Sequence, residues 1–175
     1  MNLTQSIDQA MYLMAVNATT TGDRPVSSAT VNTWAKTSGV DFDSLIDQCV
    51  DLAEQENNFS IRAKTIVAKF DPKGRNVARL PYGPVLSVTN VVVDGDVVDS
   101  DTYELIGDEV VFKFRYTDTM TITYTTGYST LPASFELAIL KMVLSNYEDR
   151  QDNVLDSITH FPSHSRALFK RYKRY

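Results

Sequence analysis

The hydrophobic period of this chain changes twice, from 3.6 residues to 2 near Ile61 and back to 3.6 after Pro132. A segment of period 2 presents one apolar face only as a strand, and one of period 3.6 only as a helix. The order of elements is therefore helices, then a block of strands, then a closing helix. Ahead of the strands, Ser27 or Ser28 caps a short helix in which Val31, Trp34 and Ala35 share a face, ended by Gly39. Asp41 or Asp43 caps a longer helix reaching Asn57, with Leu45, Cys49 and Leu52 on its stripe and the pair Asn57 and Asn58 as its stop.

Within the strand block, Ile61 to Phe70 reads as one strand, closed by Asp71, Pro72 and Gly74. Leu80-Pro81-Tyr82-Gly83-Pro84 is a constrained connection, because each proline fixes its own φ and restricts the residue before it. Val85 to Val93 follows, with Asp94-Gly95 as a tight turn into Asp96 to Val98. Tyr103 to Ile106 and Val110 to Tyr116 flank Gly107-Asp108, with Val110, Phe112, Phe114 and Tyr116 expected on one buried face. Thr119 to Thr126 alternates most cleanly, with Met120, Ile122 and Tyr124 inside. The closing helix runs from Pro132 to about Arg150, with Leu137, Leu140, Leu144 and Tyr147 on one face and Ile139 and Val143 on the next. That apolar arc is wider than a surface helix needs, so it suits a face shared with another subunit.

These elements predict an α+β fold: a small helical bundle of two N-terminal helices plus a closing C-terminal helix, carrying an antiparallel β-sheet and hairpin insertion of about five strands. Residues 1–25 read as an N-terminal extension with a short helix, in which Ile7, Ala10, Met11 and Met14 keep helical spacing, followed by a turn-rich stretch from Asn17 to Pro25. Residues 26–150 form the main domain, and residues 151–175 a loop and a C-terminal arm.

Charge divides the chain unevenly. It holds 22 Asp plus Glu against 17 Lys plus Arg, a formal net charge of -5. Arg166, Lys170, Arg171, Lys173 and Arg174 lie in the last ten residues, so the rest carries 12 basic against 22 acidic side chains, a charge of about -10. An acidic body does not wrap nucleic acid by counterion release, which needs a basic face. The arm has three readings: a solvated terminus, a nucleic-acid or membrane patch, or a segment that docks on a protein. Phe169, Tyr172 and Tyr175, three apart among the cations, favour docking, since a purely solvating tail has no use for regularly placed rings.

Chemistry is sparse. His160 and His164 are spaced i, i+4, but Pro162 lies between them and no glutamate accompanies them, so no metal is expected there. Cys49, the only cysteine, sits on an apolar stripe and reads as a small buried hydrophobe. Asp94, Asp96, Asp99 and Asp101 imitate a calcium loop, but its glycine falls second rather than sixth and the closing glutamate is missing. Phosphate cradles, nucleophile elbows and zinc-helix motifs are absent, so neither catalytic residue nor cofactor is expected. No apolar run reaches the roughly 18 residues of a membrane span and no signal peptide opens the chain, which makes a soluble protein of a reducing cytoplasm the expectation.

Several stretches, in order, resemble the head-to-tail connector, or adaptor, family of tailed bacteriophages. They are the helix Ser28 to Lys36, Asp43-Ser44-Leu45-Ile46-Asp47 opening the helix that ends Glu54-Gln55-Glu56-Asn57-Asn58, and the strand Ile61 to Phe70. Leu80-Pro81-Tyr82-Gly83-Pro84-Val85 then leads into Ser87-Val88-Thr89-Asn90-Val91. Last come Ile122-Thr123-Tyr124-Thr125-Thr126-Gly127-Tyr128, Leu131-Pro132, and a helix with Ala138-Ile139-Leu140 and Asn146-Tyr147-Glu148-Asp149-Arg150. The resemblance spans about residues 26–150 and makes that segment a connector domain; residues 1–25 exceed the family pattern.

The resemblance implies a non-enzymatic virion protein of the phage neck, assembled in the host cytoplasm as a ring of usually twelve copies beneath the portal. Such a ring extends the DNA channel and offers a platform to a stopper or tail-completion protein. It also implies that the C-terminal segment reaches the portal, which gives Arg166, Phe169, Lys170, Arg171, Tyr172, Lys173, Arg174 and Tyr175 a partner. Leu137, Leu140, Leu144 and Tyr147 are the candidate subunit interface, because a closed ring needs complementary faces. An acidic body suits a conduit, since carboxylates repel phosphates and let DNA pass without specific binding. No membrane partner is expected. Two alternatives stay open: another neck or tail-completion protein such as a tail terminator, and a small nucleic-acid-binding module whose salt slope would report roughly three to five phosphates.

Overall fold

β8 (Met120–Thr126), the most cleanly alternating segment, sits at the middle of a five-stranded antiparallel sheet. A computed structural model describes residues 10–152 and 163–169 of the chain. β8 pairs with β2 (Lys64–Asp71) on one side and β4 (Val85–Val93) on the other. β1 (Tyr12–Thr20) and the two-residue β5 (Asp96–Val97) are the sheet's edges. A second antiparallel sheet has the order β3 (Val77–Arg79), β7 (Glu109–Phe112), β6 (Tyr103–Ile106). Ile66, Phe70, Val91, Ile122 and Tyr124 from the first sheet and Ala78, Val110 and Phe112 from the second close one apolar core. The Tyr124 hydroxyl is bonded to the Pro81 carbonyl, which satisfies the one polar atom that this large ring carries into the core.

The helices are α1 (Ser28–Ala35), α2 (Asp43–Asn57), α3 (Ala133–Asp152) and α4 (Ser163–Phe169). Among the described residues, 10–21 and 63–128 make up one compact unit, and 22–62, 129–152 and 163–169 the other. The fold is thus α+β, with β2 to β8 inserted between α2 and α3 as the change of period requires and β1 preceding α1. Local chemistry explains the helix ends. Ser27 Oγ accepts the Thr30 N–H at 3.1 Å and caps α1, and Asn58 takes φ 55° to stop α2. Glu54 Oε1 then accepts the N–H groups of Ile61 and Arg62, at 2.7 and 3.1 Å, where the chain leaves the helix. In the helical unit, Phe59 stacks on Phe135 at 5.1 Å, and Phe169 closes on both, at 5.8 and 5.2 Å.

Four expectations are corrected. Met14, expected on an N-terminal helix, lies in β1, and Met11 is a buried core residue just before it. The helical spacing of three or four apolar residues is a weak preference, and pairing with the free edge of β2 overrides it. Ile7 lies outside the described residues. Trp34, expected on the buried face of α1, is 57% exposed, because an eight-residue helix turns only Val31 fully inward. Phe114 is 61% exposed, since β7 ends at Phe112 and the alternation outlives the ladder. Finally, residues 163–169 form a helix where loop and arm are expected; seven residues are too few to show a period.

All three rings of the aromatic triad are fully buried, so Phe59→Ala removes large packed area and leaves a cavity. It is expected to lower stability by about 3–5 kcal/mol in urea unfolding. A loss below about 1 kcal/mol would show that the triad does not hold the helical unit together.

Candidate interaction surfaces

Three carboxylates, Asp43, Asp47 and Asp51, recur every four residues along α2, so they stand in one row. Two arginines from the chain before and after the helix close over that row. Arg24 grips Asp47 with Nε at 2.9 Å and Nη2 at 2.8 Å, and reaches Asp43 with Nη1 at 2.9 Å. Arg62 takes Asp47 with Nη1 at 3.0 Å and Asp51 with Nη2 at 2.9 Å. Ser28 Oγ donates to Asp43 Oδ1 at 2.5 Å and accepts the Phe42 N–H, tying α1 to the start of α2. The Arg24 guanidinium bonded to Asp47, with Arg62 adding to it, holds that carboxyl below the usual carboxylate range against the opposing effect of burial. Local charge here goes into joining segments of the helical unit.

Beside this row, α1 and α3 leave a groove of about 390 Å³, lined by Pro25, Val26, Thr30, Trp34, Glu136, Leu137 and Leu140 among others. Two of the four candidate subunit-interface residues, Leu137 and Leu140, line it. Leu140 is buried at its floor, and Leu137 is half-buried on its wall. Leu144 is half-buried farther along α3, and Tyr147 packs edge-on against Phe42 at 4.9 Å. The four residues therefore do not form one free stripe: Leu140 and Tyr147 already serve their own chain. Trp34 is the groove residue that helical spacing sets on a face with Val31 and Ala35, and its size and exposure make it the most conspicuous apolar side chain on that surface.

The candidate arm also divides. Phe169 is fully buried in the aromatic triad, so its ring is a core anchor of this chain and not an exposed docking ring. The local sequence hides this, because Phe169 keeps the same spacing of three as Tyr172 and Tyr175. Ser165 Oγ, buried four residues earlier, donates to the Ala138 carbonyl at 3.2 Å and seats α4 on α3. The side chain of Arg166 and residues Lys170, Arg171, Tyr172, Lys173, Arg174 and Tyr175 lie outside the described residues, as do His160 and the side chain of His164.

The acidic hairpin is used by the backbone. Asp94 and Gly95 take φ 49° and 93° in the β4–β5 turn, and Asp99 Oδ1 accepts the Asp101 N–H at 3.1 Å to cap a 3-10 turn. Cys49 is buried in α2 near Asn146. Among the described residues, no three His, Cys, Asp or Glu side chains are placed to hold a metal ion, and no helix is long and apolar enough to cross a membrane.

The chain matches no protein-family model, and no curated protein matches it. Solved structures do share its fold over nearly its whole length. A chain in the neck of an empty gene transfer agent (GTA) particle, computed with C6 symmetry, superposes with a TM-score of 0.72 at 16% identity, covering 93% of this chain and 96% of that one. Chains from the neck of a native GTA particle computed with C12 symmetry and from the virion of a native GTA particle give 0.68 and 0.66, at the same identity and coverage. At this identity the likeness establishes a common fold.

The row of carboxylates generates a pH dependence. A carboxyl whose folded pKa is lowered binds its proton more weakly than in the unfolded chain, so its stabilisation is complete above the ordinary carboxylate pKa and is lost as pH falls through the lowered value. Asp47→Asn is expected to lower the melting temperature by a few degrees at pH 7, and the gap to the parent chain should narrow steadily below about pH 4. A gap that stays constant down to pH 2 would mean that the charge on Asp47 is not what stabilises the row.

Proposed function

We propose that this chain is a structural protein of a phage-like neck that forms an adaptor ring beneath a portal, extends the DNA channel and presents a platform to a stopper or tail. The observation that carries this reading is the likeness over nearly the full chain to chains of GTA necks, two of them computed with C6 or C12 symmetry. The electrostatics support it. A chain with a formal charge of -5 leaves DNA free to move, and two arginines of the helical unit, Arg24 and Arg62, are engaged with carboxylates. The chain acts as a scaffold without catalytic residues or cofactor.

In this reading the portal is met by Arg166, Lys170, Arg171, Tyr172, Lys173, Arg174 and Tyr175, with Phe169 as the rivet that fixes where the arm leaves the helical unit. Cations pair with portal carboxylates and the tyrosine rings pack in pockets, each contact weak, and repetition around the ring multiplies them. Leu137 and Leu144, with Trp34 beside the groove, are the apolar positions of the helical unit open to a neighbouring subunit.

The arm is tested by co-sedimentation with DNA-filled, tailless capsids. The deletion must stop after Phe169, because a chain cut at Ser165 would lose a core ring along with the arm. The full chain is expected to be retained at up to about a dozen copies per capsid, and the chain ending at Phe169 to be lost to the supernatant while keeping its melting temperature. Equal retention of both would remove the arm from the contact. Retention of neither, with the full chain instead binding free DNA with a steep salt dependence, would replace the neck reading by the nucleic-acid one.

A further inference from the structure

The five-stranded sheet is unfinished on both sides. On the side of β4 away from β8, β5 covers only the end of the strand, through Val92↔Val97 and Val93↔Asp96; the Val85 N–H is taken by Asp108 Oδ1 at 3.0 Å, and among the described residues no strand lies on that side of β4 from Leu86 to Asn90. On the other side β1 runs nine residues, Tyr-Leu-Met-Ala-Val-Asn-Ala-Thr-Thr, paired to β2 alone. Natural edge strands are commonly blunted by charge, proline, brevity or bulges. β1 has no charged residue and no proline, and its single irregularity falls between Leu13 and Ala15.

The apolar core also runs out at this edge. Residues directly opposite on paired strands share a face of the sheet, so Leu13, opposite Phe70, and Ala18, opposite Ile66, point to the core side. Phe70 and Ile66 are fully buried, yet Leu13 is 46% exposed and Ala18 is exposed, because among the described residues no strand lies beyond β1 to cover them. Met14, at the irregularity, is 58% exposed. A further strand would satisfy the open backbone groups and finish the core in one step.

We propose that β1 is a strand-addition seam between copies of this chain, filled by the open Leu86–Asn90 run of β4 from a second copy. Two observations select that occupant. First, the two open edges are different and belong to the same sheet, so joining one to the other is a heterologous contact that repeats from copy to copy, the kind of contact that closes a ring. Second, both runs are free of charged residues in a chain of formal charge -5, so they are places where copies can approach without repulsion. Leu86, 47% exposed on β4, supplies an apolar side chain to the joint. The shifts in β4 at Val85/Ser87 and Val88/Asn90 confine the pairing to a short segment. The seam rests on the ring reading above and adds to it which backbone edges meet.

The test uses full-length chains carrying either Ala15→Cys or Thr89→Cys, both at exposed positions, with the native Cys49 buried and the parent chain as control. They are treated with a short bis-maleimide after assembly on capsids or in concentrated solution. The mixture is expected to cross-link between copies and neither chain alone to do so. Ala18→Lys, which sets a charge on the core side of the edge, should weaken assembly by about tenfold or more while the monomer keeps its melting temperature. In the unmodified chain, the amides of residues 12–20 should exchange more slowly once assembled. Assembly of Ala18→Lys at the parental level, or unslowed exchange in β1, overturns the seam. Cross-linking among Ala15→Cys chains alone overturns it too, since β1 on β1 makes a two-fold pair. Slowing of β1 only on capsids without mixed cross-links assigns the edge to another protein and overturns it likewise. If capsids retain the parent chain but β1 stays unprotected, the neck reading survives and the seam does not. If copies join through β1 but capsids ignore them, the seam survives and the neck reading does not.

Discussion

Burial of the Phe59, Phe135 and Phe169 rings is the contact on which the helical unit depends. The three residues come from the chain after α2, from the start of α3 and from the end of α4, so one cluster joins segments far apart in sequence. Each ring pair adds roughly 0.5–1.5 kcal/mol beyond the area it removes from water. Phe169 is fully buried in this cluster, so its ring belongs to the core of the helical unit.

Charge is arranged on the same logic. In the helical unit, Arg24 and Arg62 are spent on Asp43, Asp47 and Asp51, where they join the chain before α2 to the chain after it. In the sheet unit, Arg75 binds the Ala10 carbonyl and its guanidinium lies 4.4 Å from the centre of the Tyr12 ring, fixing the start of β1. Arg79 pairs with Glu109 across β3 and β7. These cations thus organise the fold, while five of the chain's basic residues are concentrated in its last ten positions.

Much of the architecture was legible because it rests on local rules. Val85–Val93 and Tyr103–Ile106 occupy the ranges their alternation marks, α2 stops at an asparagine in the left-handed region, and Asp94-Gly95 makes the tight turn; at the start of α2, however, the cap is Phe42, with no side-chain hydrogen bond, in place of the expected Asp41 or Asp43. The other misses share one cause. Met14, Trp34, Phe114 and Phe169 are apolar residues whose fate depends on what lies opposite them, and a spacing says nothing about that. For Met14 it is the free edge of β2, for Trp34 the groove beside α3, for Phe114 the end of the β7 ladder, and for Phe169 the stacked pair Phe59 and Phe135. The candidate interface on α3 was half legible for the same reason: its spacing picks out Leu137 to Tyr147, but only packing tells that Tyr147 is already taken by Phe42.

By itself the sequence determined the class of fold, the insertion of strands between helices, the acidic body and the basic C-terminus, because period, capping, turn residues and charge act over a few neighbouring residues. Tertiary structure alone decided that residues 12–20 form an edge strand of the sheet, that Phe169 belongs to the core, and that among the described residues two edges of one sheet stand open. Those outcomes are set by pairing and burial between residues as far apart as Leu13 and Phe70, or Phe59 and Phe169. Their free energy comes from surfaces that exist only once the chain has folded.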